Sequence, residues 1–452
     1  MNDKKTIMKR IIAILLTIFG WATITAQHLS LDTCKAMALR NNAAVKNAVL
    51  DVKAAQEVKM QARTKYFPQI SATGIGYVPA KPLLEYGIND IGSAAARQQL
   101  HNLYYEYGAA MGLSDKISLC DGGLGVGVTA VQPVFMGGQI VGGNALADVG
   151  VAASHYQSQL TRDQVLQQVE ETYWQTVSLL EKRKTLLQAI TFLDTLHRDV
   201  TVAAEAGLVT RNDVLKVELK QNEMQSNLLK VNNGITLSAM LLCQMIGMEY
   251  IENLVLTDLI GQDLSSEAPT DADIRNAVYR RTEKQLLDCQ VRAEKLKKEI
   301  AIGESVPHLM IGANASYGSL IFDRYDYNAL AFMTLQVPLT GWWETAHKIR
   351  QQNYLIQKAE NERADYVEKM ALETRQAWCN IEEANSQVTL AESSVRSAEA
   401  NLHDTKANFD AGMVAVSELL EAQTLLLQAQ NQHTDALIDL KIKTERYKRL
   451  TR

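Results

Sequence analysis

Cysteine and histidine are scarce in this chain of 452 residues, and neither residue type recurs at a spacing that indicates a bridge or a metal site. The five cysteines are an odd number without paired spacing, so no disulfide framework is indicated and we expect small buried residues at these positions. The eight histidines show no close ligand spacing and no accompanying cysteine pair, which argues against a metal enzyme. We predict neither a metal nor a cofactor. The positions are Cys34, Cys120, Cys243, Cys289 and Cys379, and His28, His101, His155, His197, His308, His347, His403 and His433.

The chain also lacks an excess of positive charge. Four basic residues precede the apolar run Ile11–Ile24, which closes on Thr25-Ala26, the layout of a secretory signal peptide that we predict over residues 1–26. An uncleaved membrane anchor is the alternative, but the run is shorter than the ~20 residues that a span needs. Without the signal peptide, 42 basic and 50 acidic residues remain, a net charge of −8. Nucleic acid is therefore not predicted as a partner.

Long apolar runs are absent after the signal peptide. The longest stretch, Ile235–Ile246, is interrupted by polar residues and is too short to cross a bilayer. Any membrane crossing must then be made of strands, because a spanning segment has to satisfy its backbone hydrogen bonds without water.

Catalytic patterns are missing as well. No combination of a nucleophile and a base stands out, so the sequence does not favour a secreted hydrolase. The glycine-rich run Gly122–Gly127 lacks the Lys-Ser/Thr that completes a phosphate-binding loop, and it continues as an alternating strand. We predict that the protein is not an enzyme.

What the chain does contain is a duplication. Gly207 and Gly412 each interrupt a long helical pattern that resumes a few residues later, and they lie 205 residues apart. An acidic residue follows each glycine at the same distance, Asp213 in the first copy and Glu418 in the second. Because glycine readily adopts the left-handed conformation that ends a helix, both stretches are predicted to be the tips of helical hairpins.

The helical patterns on either side of these tips are unusually long. Residues 138–206 contain no proline and would extend roughly 100 Å as a helix at ~1.5 Å per residue. Apolar residues in this stretch, and again in residues 417–450, follow a seven-residue repeat typical of a coiled-coil seam. Further helices are predicted from Leu29 to Tyr66, from 342 to 411, and from Ala272 to Gly303.

Short segments with a period of two residues interrupt the helices near proline. Each repeat contains two of them, and alternation of this kind predicts strands that pair as a hairpin. We predict residues 27–247 as repeat 1, 248–271 as a linker and 272–452 as repeat 2, with strands at 68–77 and 122–133, and at 307–317 and 329–338.

The first strand pair carries an insertion. Pro338 follows Pro133 by 205 residues, whereas Pro307 follows Pro68 by 239, so the first repeat is longer by 34 residues between these points. The excess falls within residues 78–121, which contain a possible helix over 94–107. We expect an external loop there, because loops tolerate insertions.

Strands of about ten residues match the length of outer-membrane strands. Four of them cannot close a barrel, and an open edge in lipid would leave backbone groups unpaired at several kcal/mol each. Closure must then come from other copies of the chain. Three copies would supply twelve strands, continued by helices on the same axis.

Taken in order, these motifs resemble the TolC-like family of trimeric outer-membrane efflux channels over nearly the whole mature chain. The resemblance rests on motifs that are weak individually and recur in the same order in both repeats: Leu31 to Asn42, Phe67-Pro68-Gln69-Ile70, Gln132-Pro133-Val134-Phe135, Val337-Pro338-Leu339 and the two glycine tips.

The resemblance implies a mixed α/β, mainly helical fold: a duplicated repeat of long coiled-coil helices with four transmembrane strands per protomer. It further implies a homotrimer whose 12-stranded β-barrel is embedded in outer-membrane lipid and continued by a periplasmic α-helical barrel. Such a channel is a passive exit duct in tripartite efflux or type I secretion, and it docks onto a periplasmic adaptor protein and an inner-membrane transporter. The family's docking tips map onto Gly207, Leu208, Val209 and Thr210, and onto Gly412, Met413, Val414 and Ala415.

The resemblance also implies a periplasmic gate, and here the chain departs from the family. Phe409 and Val414 replace the tyrosine and arginine that commonly hold the tips closed, although the acidic partner Asp213 remains. Neither side chain can donate a hydrogen bond, so closure would rest on apolar packing or on other pairs such as Arg211. The family's acidic constriction maps onto Glu418 and Glu421, three residues apart on one helix face.

A periplasmic adaptor or coiled-coil spacer is the alternative of a different class, since these proteins also use long helical hairpins. An adaptor has one hairpin flanked by a split β domain. This chain instead predicts two hairpins with barrel-type strands between its helices.

Overall fold

A computed structural model describes residues 28–80, 84–119, 123–252, 254–258, 273–319 and 325–452. The predicted signal peptide, parts of the 78–121 insertion, most of the 248–271 linker and Cys120 lie outside these residues. Within them, no helix combines the length and the apolar character that a membrane crossing requires.

Long helices dominate the described chain, as predicted. Four of them run through the two hairpins and the remainder are shorter. Their bounds are α1 Leu31–Asn41, α2 Ala43–Thr64, α3 Ala94–Leu103, α4 Gln139–Glu205, α5 Arg211–Ile246, α6 Ile274–Arg280, α7 Thr282–Gly303, α8 Gly341–Asp410 and α9 Val416–Thr451.

The structure also describes eight strands. They are β1 His28–Leu29, β2 Gln69–Tyr77, β3 Leu84–Gly87, β4 Lys116–Leu119, β5 Gly123–Phe135, β6 Val255–Leu256, β7 His308–Ser319 and β8 Asp326–Gln336. The described residues divide into two compact units. The first consists of the described residues up to Val52 with those in Ser154–Leu287 and Arg363–Arg452, and the second of those in Lys53–Ala153 and Asp288–Glu362.

The prediction of one continuous helix was wrong in two places. The helix expected from Leu29 to Tyr66 breaks at Asn42, and the one expected from Ala272 to Gly303 breaks at Arg281. Both residues have extended ψ values, 134° at Asn42 and 141° at Arg281. The two breaks lie 239 residues apart, which is the spacing between Pro68 and Pro307, so they are the same feature of the duplicated repeat.

Side-chain bonds to distant residues stabilise each break. The Asn42 carboxamide accepts from the N–H of Ala44 at 2.9 Å and donates to the carbonyl of Met245 at 3.0 Å. Arg281 binds Glu283 at 2.7 Å and Glu373 at 3.0 Å. The bonds to Ala44 and Glu283 are local, whereas Met245 and Glu373 are far away in the chain and cannot be identified from the neighbouring sequence.

The second unit contains the four-stranded antiparallel sheet, in the order β2-β5-β7-β8. Gln69 pairs with Val131 in the first repeat, and His308 pairs with Gln336 in the second. The strands β5 and β7 join the two repeats. Among the described residues, the outer edges of β2 and β8 have no partner strand.

The two faces of this sheet differ in polarity, because successive side chains of a strand alternate between faces. One face is apolar and carries Ile70, Ala72, Val126, Val128, Ala313, Ala315, Ala329, Ala331 and Met333. The other is largely polar and carries Ser71, Thr73, Thr129, Asn314, Ser316 and Asn328. The apolar side chains are exposed in the single chain, with 72% of Ile70 and 57% of Val126 accessible.

The insertion between β2 and β5 forms a small structure of its own. Strands β3 and β4 pair antiparallel, and α3 lies between them in sequence. His101 stacks on Tyr105 with ring centroids 5.0 Å apart, and the Tyr104 hydroxyl donates to the carbonyl of Leu113. The helix expected over 94–107 ends at Leu103 and continues as a π-helical turn.

In the first unit, the first described residues pair with part of the predicted linker. The two-residue strands β1 and β6 pair in parallel, an element that the sequence did not predict. The buried Tyr173 hydroxyl donates to the carbonyl of Leu29 at 3.0 Å and accepts from the N–H of Asp258 at 3.3 Å. Burial raises the pKa of Tyr173 above its usual value. The Asp258 carboxylate also accepts from the N–H of Leu31 at 2.8 Å.

A buried carboxylate connects three helices of the same unit. Glu170 on α4 has a side chain only 3% exposed and lies 3.3 Å from Lys35 on α1 and 2.8 Å from Arg449 on α9. A carboxylate this deeply buried requires cationic partners, since removing a charge from water costs several kcal/mol.

Candidate functional site at the two helix reversals

The first reversal lies between α4 and α5, and Gly207 ends the helix with a φ of +76°. The N–H of Leu208 donates to the carbonyl of Ala203 at 2.9 Å, and that of Gly207 donates to Ala204 at 3.0 Å. These two bonds form a Schellman motif, which satisfies carbonyls at the end of the helix. The predicted use of glycine in the left-handed conformation is confirmed here.

The second reversal, between α8 and α9, repeats this geometry. Gly412 has a φ of +70°. The N–H of Met413 donates to Asn408 at 2.8 Å, and that of Gly412 donates to Phe409 at 2.9 Å. The two tips are therefore built on the same backbone hydrogen bonds.

Each apex presents one exposed apolar side chain followed by a half-buried valine. Leu208 is 80% exposed and Met413 is 69% exposed. Val209 and Val414 are half-buried, and Val209 packs against an apolar core. The leucine and the methionine are thus the large apolar side chains that either tip offers to a partner.

A single apolar core lies behind both tips. It contains Val217 from the first hairpin together with Val416 and Leu419 from the second, all at most 2% exposed. Half-buried Phe409 packs against the same core. Because the two hairpins share this core, the tips form one structural element.

The helices that leave the tips begin differently. Thr210 caps α5, and its hydroxyl accepts from the N–H of Asp213 at 3.3 Å while the Asp213 carboxylate accepts from the N–H of Thr210 at 3.2 Å. This reciprocal arrangement is a capping box. The corresponding residue of the second tip, Ala415, has no side-chain cap.

The acidic residue Asp213 is fully engaged within its own helix. Its carboxylate accepts from the Thr210 hydroxyl at 2.7 Å and lies 3.1 Å from the Lys216 ammonium. The hydrogen bond from Thr210 and the nearby cation lower the pKa of Asp213 below its usual value. In this chain Asp213 therefore serves as a helix cap, which leaves it less free for a polar latch.

Adding the missing cap should stabilise the second tip. We expect Ala415→Thr to form a capping box with Glu418 and to stabilise the first turn of α9 by about 1 kcal/mol. Thr210→Ala should destabilise α5 by a similar amount. Hydrogen exchange at the first turns of the two helices measures this, with a change in rate of about fivefold. Unchanged exchange in both variants would contradict the capping assignment.

Among the other predicted gate residues, Phe409 contributes packing alone. Its ring lies against the shared core, and Val414, five residues later, is half-buried. Within the described residues Arg211 is exposed and makes no ion pair. Of these three residues, Phe409 is the one that packs against the shared core in a single chain.

Glu418 and Glu421 differ from Asp213 because their carboxylates have no bonding partner in the described chain. Both are exposed on the first two turns of α9, and neither makes an ion pair or a side-chain hydrogen bond within the part of the chain that the structure describes. Their spacing of three residues places them on one face of the helix. Two uncompensated carboxylates therefore stand immediately behind the second tip.

Sequence reasoning missed the capping box, although its signal was present. Thr210 and Asp213 have the spacing of a cap followed by its acidic partner, and Ala415 and Glu418 have that spacing without the hydroxyl. In the described ranges no group of three histidine, cysteine or acidic side chains is arranged to hold a metal ion.

Comparison with known proteins identifies the architecture. Residues 285–451 match the family described as outer membrane efflux protein. Crystal structures of CusC share the fold at a TM-score of 0.77 and 13% identity, over 93% of this chain and 91% of that chain. VceC from Vibrio cholerae matches at a TM-score of 0.72 and 14% identity, over 93% of this chain and 96% of that chain. The open state of the Neisseria gonorrhoeae MtrE outer membrane channel matches at a TM-score of 0.74 and 13% identity, over 93% of this chain and 88% of that chain. No curated protein sequence matches the chain.

The structural matches show the fold, and the family match adds an assignment for the second repeat. The resemblance to TolC-like channels and the mainly helical fold with its antiparallel sheet are confirmed. The family match over residues 285–451 supports the predicted location at the outer membrane, with an extension into the periplasm. Together the findings support an outer-membrane efflux channel.

Proposed function

Starting from the match to outer membrane efflux proteins, we propose that this chain is the exit duct of a tripartite efflux or type I secretion system. The duct is passive, and an inner-membrane transporter supplies the energy. The observation that carries the proposal is the four-stranded sheet, which has one exposed apolar face and two outer edges without a partner strand in the described chain. A sheet of this kind is stable in lipid only when its edges are paired.

Three copies of the chain pair these edges. Each copy contributes four strands, so β8 of one copy lies beside β2 of the next in a 12-stranded barrel. The apolar face then contacts outer-membrane lipid and the polar face lines the lumen, the alternation typical of such barrels.

Exposed leucines on α5 support the same assembly. Leu215, Leu219, Leu229 and Leu237 are between 49% and 72% exposed in the single chain. At 3.6 residues per turn they fall within an arc of about 80° on the helix. A stripe of leucines on one side of a long helix is suited to packing against a helix of another copy.

Mass measurement of the detergent-extracted protein tests the assembly. We expect three subunits per particle, because fewer copies leave sheet edges open. Crosslinking through cysteines introduced on the facing edges of β2 and β8 should give trimers as the largest product. A stable monomer that inserts into membranes would contradict the proposal.

The two tips are proposed to dock onto a periplasmic adaptor protein. Gly207, Leu208, Val209 and Thr210 form one contact, and Gly412, Met413, Val414 and Ala415 form the other. The exposed Leu208 and Met413 supply its apolar part. The alternative, that the chain is itself an adaptor or spacer, predicts a single helical hairpin, whereas this chain has two hairpins and a four-stranded sheet.

Conductance tests the function directly. The purified protein should form cation-conducting pores in planar bilayers, and its gene should restore export in a strain that lacks the native outer-membrane component. A trimer that never conducts, even when its cognate adaptor is added, would contradict the channel.

A further inference from the structure

A groove of about 490 Å³ lies in the second unit where the strands give way to helices. Val58 and Ala62 on α2 form one wall, and Ile140 and Gly143 on α4 form the other. The Asn144 carboxamide donates to the carbonyl of Ala62 at 3.1 Å and so fixes the distance between the two helices. Pro133 and Met136 add further apolar surface. The groove is thus a pre-formed apolar cleft.

One positive charge lies on the rim of this groove. Lys65, directly after α2, lines the groove and is exposed. In the described chain its ammonium makes no ion pair and no side-chain hydrogen bond, whereas Lys59 on the same helix is paired with Asp148 at 2.7 Å. An uncompensated cation beside apolar walls is complementary to a ligand with an anionic head and a hydrocarbon body.

The lining residues also indicate which side of the sheet the groove adjoins. Gln69 pairs with Val131, and Pro133 lies two residues further along β5, so Gln69 and Pro133 belong to the polar face. In the proposed trimer, on which this step rests, the polar face is turned to the lumen. The occupant is therefore a passing solute, whereas a bilayer lipid would lie against the apolar face.

We propose that this groove binds single-chain anionic amphiphiles, such as fatty-acid carboxylates, on their way through the lumen. The hydrocarbon tail packs between α2 and α4, and the carboxylate pairs with Lys65. The site gives the duct a preference among exported compounds that it would lack if it were merely a pore.

The structure supplies a substitution that fills the groove without disturbing the fold. A Cβ built on Gly143 meets no atom within 4 Å, and the same holds for Gly150 on the same helix, which does not line the groove. Gly143→Leu therefore occupies the cleft, and Gly150→Leu is its matched control. Both replace glycine in a helix interior, where leucine is favoured. Lys65→Gln removes the charge, with the exposed Lys53 on α2 as the control position for Lys53→Gln.

The experiment measures binding to the trimer in phosphatidylcholine nanodiscs. Dodecanoate and dodecyltrimethylammonium, which share a chain length and differ in charge, displace a fluorescent fatty acid. We expect tighter binding of dodecanoate, a loss of about tenfold in its affinity in Lys65→Gln, and loss of binding of both probes in Gly143→Leu. The two control variants should bind like the unmodified protein.

Several outcomes overturn the inference. One is a Lys65→Gln variant that binds dodecanoate like Lys53→Gln, and another is a Gly143→Leu variant that binds like Gly150→Leu. Weaker dodecanoate binding in nanodiscs containing phosphatidylglycerol would show that a bilayer lipid is the occupant. Conductance without dodecanoate binding would overturn the amphiphile site and leave the proposed channel standing. Binding without conductance would overturn the proposed channel and leave an amphiphile site.

Discussion

A chain carrying Leu208→Asp and Met413→Asp should form normal trimers and lose export. The two side chains are 80% and 69% exposed, so the changes remove little packing within the chain. In the proposed complex the same positions would be buried against the adaptor, where an unpaired carboxylate costs about 3 kcal/mol or more. Each tip would then bind its partner more than a hundredfold more weakly.

Export from cells and pull-down of the adaptor measure this effect. Val78→Asp is the matched control, since Val78 is 91% exposed and lies far from either tip in sequence. Normal export in the double variant would show that the apexes do not contact the adaptor. Loss of trimers would instead assign Leu208 and Met413 to assembly.

The second large effect concerns the carboxylates behind the second tip. We expect Glu418→Gln together with Glu421→Gln to abolish block by trivalent cations and to remove most of the cation selectivity. Both residues are exposed and unpaired in the described part of a single chain. Threefold symmetry would turn the pair into six carboxylates around one axis. Clustered negative charge in a narrow lumen attracts cations, and neighbouring carboxylates can bridge a multivalent ion.

Reversal potentials and block in planar bilayers, with ions added on the periplasmic side, measure this effect. Glu249→Gln with Glu252→Gln is the control, because these residues have the same spacing and are also exposed, but lie in the predicted linker. Unchanged selectivity and block in the Glu418 and Glu421 variant would place the constriction elsewhere. Equal losses in both variants would indicate an effect of overall charge.

The tips were predictable because their signals are local. A glycine between two long helical patterns already implies a left-handed residue, and Gly207 and Gly412 both have it. The strands were predictable for a similar reason, since alternation and flanking prolines are read within ten residues. Their ends were less accurate, and β8 begins at Asp326, three residues before the predicted start.

Features that depend on distant residues were not predictable. At the helix breaks, Asn42 donates to the carbonyl of Met245 and Arg281 pairs with Glu373, and neither distant partner can be identified from the neighbouring sequence. The strand β1 has only two residues and is stable because Tyr173 and Asp258 bind beside it. The groove at Lys65 likewise requires α2 and α4 to lie side by side, which no sequence pattern specifies.

The bonds that close the first unit also determine when it can fold. Tyr173 reaches back 144 residues to Leu29, and Arg449 is separated from Glu170 by 279 residues. Loop closure over such distances is entropically expensive, and folding slows as contacts become less local. Until α9 has been delivered across the inner membrane, Glu170 has Lys35 but lacks Arg449, the nearer of its two cationic partners. We therefore expect the packing of the first unit to be completed only after α9 arrives, which lengthens the time that the exported chain is exposed to proteases.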